Sequence, residues 1–404
     1  MMSSSFYDSQ SWLLSTVFPN ELVIEILVRL PVKPLMRFKC TSKSWNCLIS
    51  DPTFAILHFN KSSQNPHLTV VWEQRFRRII GYGVNATMFY FPLTPFLKNP
   101  SLTVATAPSF PLKEQDYASW VVGSINGIIC LRSSYFTEAD EYSWLSLWNP
   151  ATRLTSRHGA YFRAARYEEP LIYKYAFGYD NLTRTYKAVV FCEDGETMSR
   201  EVGIYSFHQK SRWRKIKDFP DYPILTTRIG ANDGVYLNGT INWLSVRNAR
   251  ALYLDVGIIV DEMVINSLDL GSETYKQLLL PSGFDEVPDM YPSVGVLKDC
   301  LCFSHDCKGT HFVVWVMKEF GVEVSWTQFL SIGYNDLQVD IKNFSPLVPV
   351  FVSKDDDVVV IAKLNETQAM LYYRRDNRVE RTEIAEPSLS WNLANYYVES
   401  LFLP

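Results

Sequence analysis

Residues 235–244 read VYLNGTINWL. An Asn-Gly pair between aromatic and β-branched runs is a strong hairpin signal, because both central residues of the favoured two-residue turn need positive φ. Similar punctuation recurs along the chain. Asn126-Gly127 leads into IICL, Asn181-Leu182-Thr183 leads to TYKAVVF, Lys298-Asp299 leads into CLCF, and Asp355-Asp356-Asp357 leads into VVVI. Positions 126, 182, 238, 298 and 355 are 56, 56, 60 and 57 residues apart. A further strand pair follows each loop, as in LSLWNPATRL, VGIYSFHQKSRWRKI and VVWVMKEFGVEVSWTQF. Each has apolar or aromatic residues, a polar turn, and a strand often carrying Trp or Tyr.

Four short strands in about 57 residues make a unit somewhat longer than the roughly 50 residues of kelch repeats. Such a sheet has two apolar faces and must stack on its neighbours, and a ring of blades is the stable solution. The repeat therefore predicts a β-propeller over residues 66–404. Five blades follow from the turns. A sixth is expected from about residues 66–112, with the C-terminal strand YYVESLFL closing the ring, giving about six in all. A pair of β-sandwiches is the alternative.

The N-terminal part has a different period. Residues 18–59 read FPNELVIEILVRLPVKPLMRFKCTSKSWNCLISDPTFAILHF. Pro19 suits a first helical position. Leu22, Val23, Ile26, Leu27 and Leu30 form one apolar stripe at helical spacing, which Pro31 ends. Leu35, Met36 and Phe38 make a second short helix, broken near Cys40-Thr41, and Trp45, Leu48 and Ile49 line a third. Asp51-Pro52 caps and opens a helix carrying Phe54, Ile56, Leu57 and Phe59. The unit is too small to be a domain of its own, and its apolar side chains call for a partner. The fold class is thus a small α-helical unit followed by an all-β ring. The boundaries read as 1–15 for a disordered lead-in, 16–60 for the helices and 66–404 for the β domain.

Residues 18–59 resemble the plant form of the F-box, whose pattern runs LPxELxxEILxRLPVKxLxRFxxVCKxWxxLIxDPxF. The matches run from Pro19, Glu21 and Leu22 through Arg29-Leu30-Pro31-Val32-Lys33 to Trp45, Asp51-Pro52 and Phe54. Phe18, Thr41 and Ser42 depart from it, and Thr41 puts a hydroxyl where the family has an apolar contact. The resemblance implies docking onto a Skp-type adaptor that joins a cullin and a RING subunit in an SCF ubiquitin ligase. Phe18, Pro19, Leu22, Ile26, Leu27, Leu30, Pro31, Val32, Leu35, Lys43 and Trp45 would carry that contact. Lys33, Arg37, Lys39 and Lys43 read either as a solvated basic face or as steering toward an acidic partner.

The later motifs WNPATR, FGYDNLTRTYK, VYLNGTINWL, SLDLGSETYK and YVESL resemble, in that order, the F-box-associated domain of type 1. The likeness is strongest over 120–404. It implies a substrate receptor for a target protein, with no catalytic residues and no cofactor.

Composition sets limits but assigns no function. The formal net charge of −4 gives no general pull toward nucleic acid or an anionic membrane. No apolar run approaches the roughly 18 residues of a membrane span. The start, MMSSSFYDSQSWLLSTVF, has no basic n-region and does not read as a signal peptide. The 7 scattered Cys fit free thiols in a reducing compartment, hence cytoplasm and/or nucleus. On that reading the sequons at Asn60, Asn85, Asn181, Asn238, Asn343 and Asn365 arise by chance.

Cys300, Cys302, His305, Cys307 and His311 are the residues best suited to a zinc site. Cys300 and Cys302, two apart in a strand, instead read as core residues on one face, so no metal is assigned. Asp355-Asp356-Asp357 reads as a hairpin tip, and no phosphate-binding loop, nucleophile elbow or metalloprotease motif occurs. Two long loops hold the residue types favoured at binding hot spots. Residues 157–173 offer Tyr161, Phe162, Arg163, Arg166 and Tyr167, and residues 281–292 offer Phe284 and Tyr291. The alternatives to a ligase receptor are an F-box scaffold acting outside the ligase, and a propeller enzyme or carbohydrate binder.

Overall fold

The computed structural model describes residues 19–62, 67–77, 82–92, 96–97, 118–136, 140–156, 159, 161–165, 172–193, 200–208, 213–224, 234–247, 258–288, 292–339, 346–363, 368–383 and 389–404. The lead-in expected over 1–15 lies outside them.

Four helices come first: α1 (Asn20–Leu27), α2 (Val32–Lys39), α3 (Lys43–Ser50) and α4 (Pro52–Ser62). Pro19 sits one residue earlier than expected, whereas Pro52 opens α4 as expected. Pro19 and Pro31 are the N-cap residues of α1 and α2, with extended ψ of 143° and 156°. A proline cap offers no side-chain acceptor, so both helix starts lack a local cap. Ser42 caps α3 by accepting the Trp45 N–H at 3.2 Å. Asp51 caps α4, its Oδ1 accepting from the Thr53 N–H at 2.7 Å. Leu27, Val32, Leu35, Ile49 and Phe54 face inward and form one small core.

The β domain is a ring of antiparallel sheets. Blade 1 comprises β3 (Ala118–Ile125), β4 (Ile128–Phe136), β5 (Asp140–Asn149), β6 (Leu154–Thr155) and β7 (Tyr161–Ala165). Blade 2 is β8 (Ile172–Asp180), β9 (Thr185–Glu193), β10 (Arg200–Ser206) and β11 (Arg214–Lys215). Blade 3 has β12 (Tyr222–Pro223), β13 (Val235–Leu237), β14 (Thr240–Val246), β15 (Met263–Asp269) and β16 (Tyr275–Leu278). Blade 4 has β17 (Ser293–Leu297), β18 (Cys300–Cys307), β19 (His311–Met317) and β20 (Trp326–Gly333). Blade 5 has β21 (Leu347–Val352), β22 (Val358–Lys363), β23 (Gln368–Tyr373) and β24 (Arg378–Glu383).

Five blades of four or five strands are therefore complete. Where a sixth was expected there is a three-stranded sheet of β1 (His67–Arg77), β2 (Tyr82–Pro92) and β25 (Leu389–Tyr397), in the order β2-β1-β25. The latest strand lies innermost and pairs with the earliest, His67 opposite Tyr397, so the two ends of the domain close the ring on each other. The closing strand ends at Tyr397. Residues 398–403, expected to continue it, leave the sheet.

The turns at 126–127, 238–239 and 298–299 are two-residue hairpins with positive φ at both positions: 53° and 74°, 47° and 90°, 51° and 58°. Strand periodicity then fills the spaces between blades. In β22, Val359 and Ile361 face the core shared with blade 4, while Val360 and Ala362 face the opposite one with Phe96.

A buried ion pair also joins blades 2 and 3. Lys187 Nζ lies 2.9 Å from Asp180 Oδ2 and 3.2 Å from Glu273 Oε1, and it donates to the Leu270 carbonyl at 2.5 Å. Asp180 lies in FGYD and Lys187 in TYK, two of the motifs read in sequence.

Candidate functional site

Strand directions sort the connections into two rims. In blades 1, 2, 4 and 5 the first and third strands end, and the second and fourth begin, at one rim; in blade 3 β13 takes the place of the first strand, while β12 pairs with the far end of β14. The second strands end, and the first strand of each next blade begins, at the other rim. The helical unit sits at the first rim. Ala151, in the turn between β5 and β6, packs with the helices, as do Leu401 and Phe402 just after the closing strand. The chain from α4 also enters β1 at this end, since His67 pairs with Tyr397.

Of the two stretches read as loops in sequence, the first is largely strand: residues 161–165 form β7 of blade 1 and 172–173 open β8. Residues 281–288 follow the last strand of blade 3, which ends at the rim away from the helices. Tyr161, Phe162 and Arg163 are in β7, paired along β5 so that Ala165 faces Asp140 at the opposite rim. Arg166, Tyr167 and Tyr291 lie outside the described residues. Phe284 is not a rim contact. It is 3% exposed, packed edge-on against Phe303 and His305 at 5.0 and 4.9 Å. A loop aromatic looks available in sequence, but this one is the plug of the core between blades 3 and 4.

Burial likewise divides the helical residues. Leu27, Val32 and Leu35 are 3%, 0% and 0% exposed and form the unit's own core, so they cannot meet a partner directly. Leu22 and Ile26, one helical turn apart on α1, are 52% and 59% exposed. Pro19, Pro31 and Lys43 are exposed, and Leu30 and Trp45 are half-buried. Trp45 leans on Phe38, ring centres 5.2 Å apart. Phe18 lies outside the described residues. The Thr41 hydroxyl donates to the Phe38 carbonyl at 2.8 Å, so it serves the end of α2. Ile56 and Leu57 on α4 are also about half exposed, at 49% and 47%. Among the described residues of the helical unit, these four, Leu22, Ile26, Ile56 and Leu57, are the large apolar side chains that remain exposed.

Residues 17–57 match the F-box domain family, and residues 97–403 match the family described as the F-box associated beta propeller domain. The chain belongs to the F-box-associated propeller family. An F-box/kelch-repeat protein of Arabidopsis thaliana is 32% identical over 317 residues, covering 78% of this chain and 79% of that protein. The Arabidopsis F-box protein CPR1 is 26% identical over 412 residues, covering 95% of this chain and 88% of its own. Among solved structures, the Aleuria aurantia lectin covers 80% of this chain and 96% of its own at a TM-score of 0.39 and 9% identity. That likeness is too weak to bear on function.

Within this F-box protein the possible metal ligands are engaged otherwise. Cys302 is fully buried in the core between blades 4 and 5, Cys300 packs against that core, and burial pushes the Cys302 thiol up to about 12. His305 accepts from the Trp315 indole N–H at 3.3 Å while its Nδ1 meets the Asp306 carbonyl at 2.9 Å. Burial holds its imidazole below the ordinary value, against the pull of Asp306. The Asp355-Asp356-Asp357 tip is matched by cations: Lys298 pairs with Asp356, and Arg375 with Asp355 and Asp357. Among the described residues no three His, Cys, Asp or Glu side chains converge on a metal-sized site.

Two residues that sequence reading did not single out join the F-box to the propeller. Asn149, of the WNP motif, is fully buried. Its Nδ2 donates to the Ser400 and Phe402 carbonyls at 3.0 and 2.9 Å, and its Oδ1 accepts from the Ala151 and Thr152 N–H groups at 2.9 and 3.2 Å. Glu399 Oε2 accepts from the Val32 N–H at 3.2 Å, capping α2 from 367 positions away. Asn-Pro is a turn signal that could have drawn attention to Asn149. Nothing local marks Glu399.

Proposed function

We propose that this chain is the substrate receptor of an SCF-type ubiquitin ligase. The exposed face of the F-box docks a Skp-type adaptor, and a cullin and a RING subunit join through that adaptor. The target protein binds the opposite rim of the propeller. The chain contributes position, not chemistry: ubiquitin transfer speeds up because the target is held near the charged enzyme. It works in the cytoplasm and/or nucleus, where the rest of such a ligase resides.

One observation carries the reading. Leu22 and Ile26 are more than half exposed on a helix whose Leu27 is buried in the F-box core, with Val23 and Ile24 packed against it. Both also fall on positions of the F-box pattern. An exposed apolar helix face of this kind is what docks into a hydrophobic groove of a partner. Lys33, Arg37 and Lys43 lie exposed beside them and suit an acidic partner.

Purified protein mixed with a recombinant plant Skp-type adaptor tests this. Wild type should capture the adaptor, and a Leu22→Asp/Ile26→Asp variant should lose capture with its melting temperature unchanged. No capture by wild type, or equal capture by the variant, would overturn the reading. An adaptor complex that never recruits cullin would favour the scaffold role instead.

A further inference from the structure

The segment after the closing strand lies between the propeller and the F-box. Val398 to Phe402 cross from the propeller to the F-box, and both sides hold them. On the propeller side, Asn149 fixes the Ser400 and Phe402 carbonyls. Gly127, at φ +74°, lies so close that a Cβ there would come within 2.4 Å of the Val398 carbonyl and 2.8 Å of Ser400 Cβ. A side chain at position 127 would push the segment off the blade. On the F-box side, Leu401 is buried in the helical core, and Phe402 meets Phe59 with ring centres 5.3 Å apart. Glu399 supplies the acceptor that Pro31 cannot, capping α2 and matching the positive end of its dipole. His58 sits beneath, fully buried, its Nε2 on the Leu30 carbonyl at 2.9 Å.

We infer that residues 398–402 are a strap that locks the F-box onto the first rim in one orientation, with Asn149 and Glu399 as its positioning residues. Two domains joined only by a peptide linker would move relative to each other by default. Here the strap supplies a second, non-covalent tether at a different place from the linker between α4 and β1. It buries apolar side chains of the tail in the F-box core and satisfies buried backbone groups on both sides. The F-box and the substrate rim are thereby held at opposite ends of one rigid body. The consequence for ubiquitin transfer rests on the receptor reading above. The strap itself does not.

Single-molecule fluorescence transfer between dyes on non-natural residues at Asn46 and Lys308 reads the two ends, both exposed and neither part of the strap. Wild type should give one narrow distance distribution. Asn149→Ala and Glu399→Ala should broaden or split it, while Glu399→Gln, which keeps an acceptor for the Val32 N–H, should restore the single peak. Adaptor capture should be unchanged in all three, since none alters Leu22 or Ile26. A single wild-type-like peak in both alanine variants would overturn the strap. Broadening in Glu399→Gln equal to that in Glu399→Ala would overturn the capping role assigned to Glu399. If Asn149→Ala fails to fold, the Glu399 pair decides alone. A narrow wild-type peak that the alanine variants broaden, without adaptor capture, would sustain the strap and sink the receptor reading.

Discussion

Replacing Lys187 by Met isolates the buried ion pair between blades 2 and 3. Its Nζ meets Asp180, Glu273 and the Leu270 carbonyl, and the Lys187 and Asp180 side chains are 6% and 1% exposed. Removing one partner of a buried pair costs about 3–5 kcal/mol, because the other charge stays buried. Asp180 retains the Leu182 and Thr183 N–H groups and the Thr183 hydroxyl, and Glu273 retains Arg214. That compensation places the expected loss near the lower end, about 3 kcal/mol. Against a total stability of roughly 5–15 kcal/mol this is large.

The double variant Asp180→Asn/Lys187→Met removes both charges and should regain about 2 kcal/mol over the single, since a neutral pair of similar shape avoids the stranded carboxylate. Urea unfolding followed by Trp fluorescence, at unchanged slope, reads both numbers. Acid gives a second check. Burial would raise the Asp180 carboxyl, but the Thr183 hydroxyl, Lys187 and two backbone N–H groups outweigh it and hold it below its ordinary range. Its contribution is therefore present above the unfolded-state value of about 3.9 and is lost as pH falls through the lower folded value. A single-variant loss under about 1 kcal/mol, or a double variant no more stable than the single, would refute the argument.

Three further outcomes are expected. Leu35→Ala, in the F-box core, should cost about 2–5 kcal/mol and loosen the helices, visible as faster amide exchange in α2 and α3, whereas Ile26→Asp should leave exchange unchanged. Stability should fall as pH drops below about 6.5, because burial holds both His58 and His305 below that value and the unfolded chain takes up the protons first; His305→Gln should flatten the slope measured by thermal unfolding. Lys298→Ala breaks a half-exposed pair with Asp356 and should cost no more than about 1 kcal/mol in urea, less at high salt.

Local chemistry was legible wherever a short stretch decides its own conformation. Asn-Gly at 126 and 238 demands positive φ regardless of what surrounds it, and both hairpins form there. Lys298-Asp299 makes the same turn without glycine, φ being 51° and 58°, because the flanking strands of blade 4 over-determine it. The placement of Cys300 and Cys302 in one core followed from strand period alone.

Faces were harder. The stripe of α1 and α2 is wide enough to be apolar on two sides, and spacing does not say which side the chain itself covers. Leu27, Val32 and Leu35 went to the inner side and Leu22 and Ile26 to the outer, because α3, α4 and the strap close over only one face. Phe284 shows the same limit in a loop, where an aromatic can point to solvent or fold back as a plug.

By itself, the sequence determined the period of the ring, the positions of its hairpins, the helical unit before it and the F-box pattern on that unit. These depend on φ preferences and side-chain spacing, which act over a few residues. Only the tertiary structure decided that the closing strand stops at Tyr397, that residues 398–402 strap the two domains, and that Phe284 folds back into the core between blades 3 and 4. Those facts depend on pairs such as Asn149 with Phe402 and Val32 with Glu399, separated by hundreds of residues. Their hydrogen bonds leave no local pattern, because each partner is chosen by where the ring brings it.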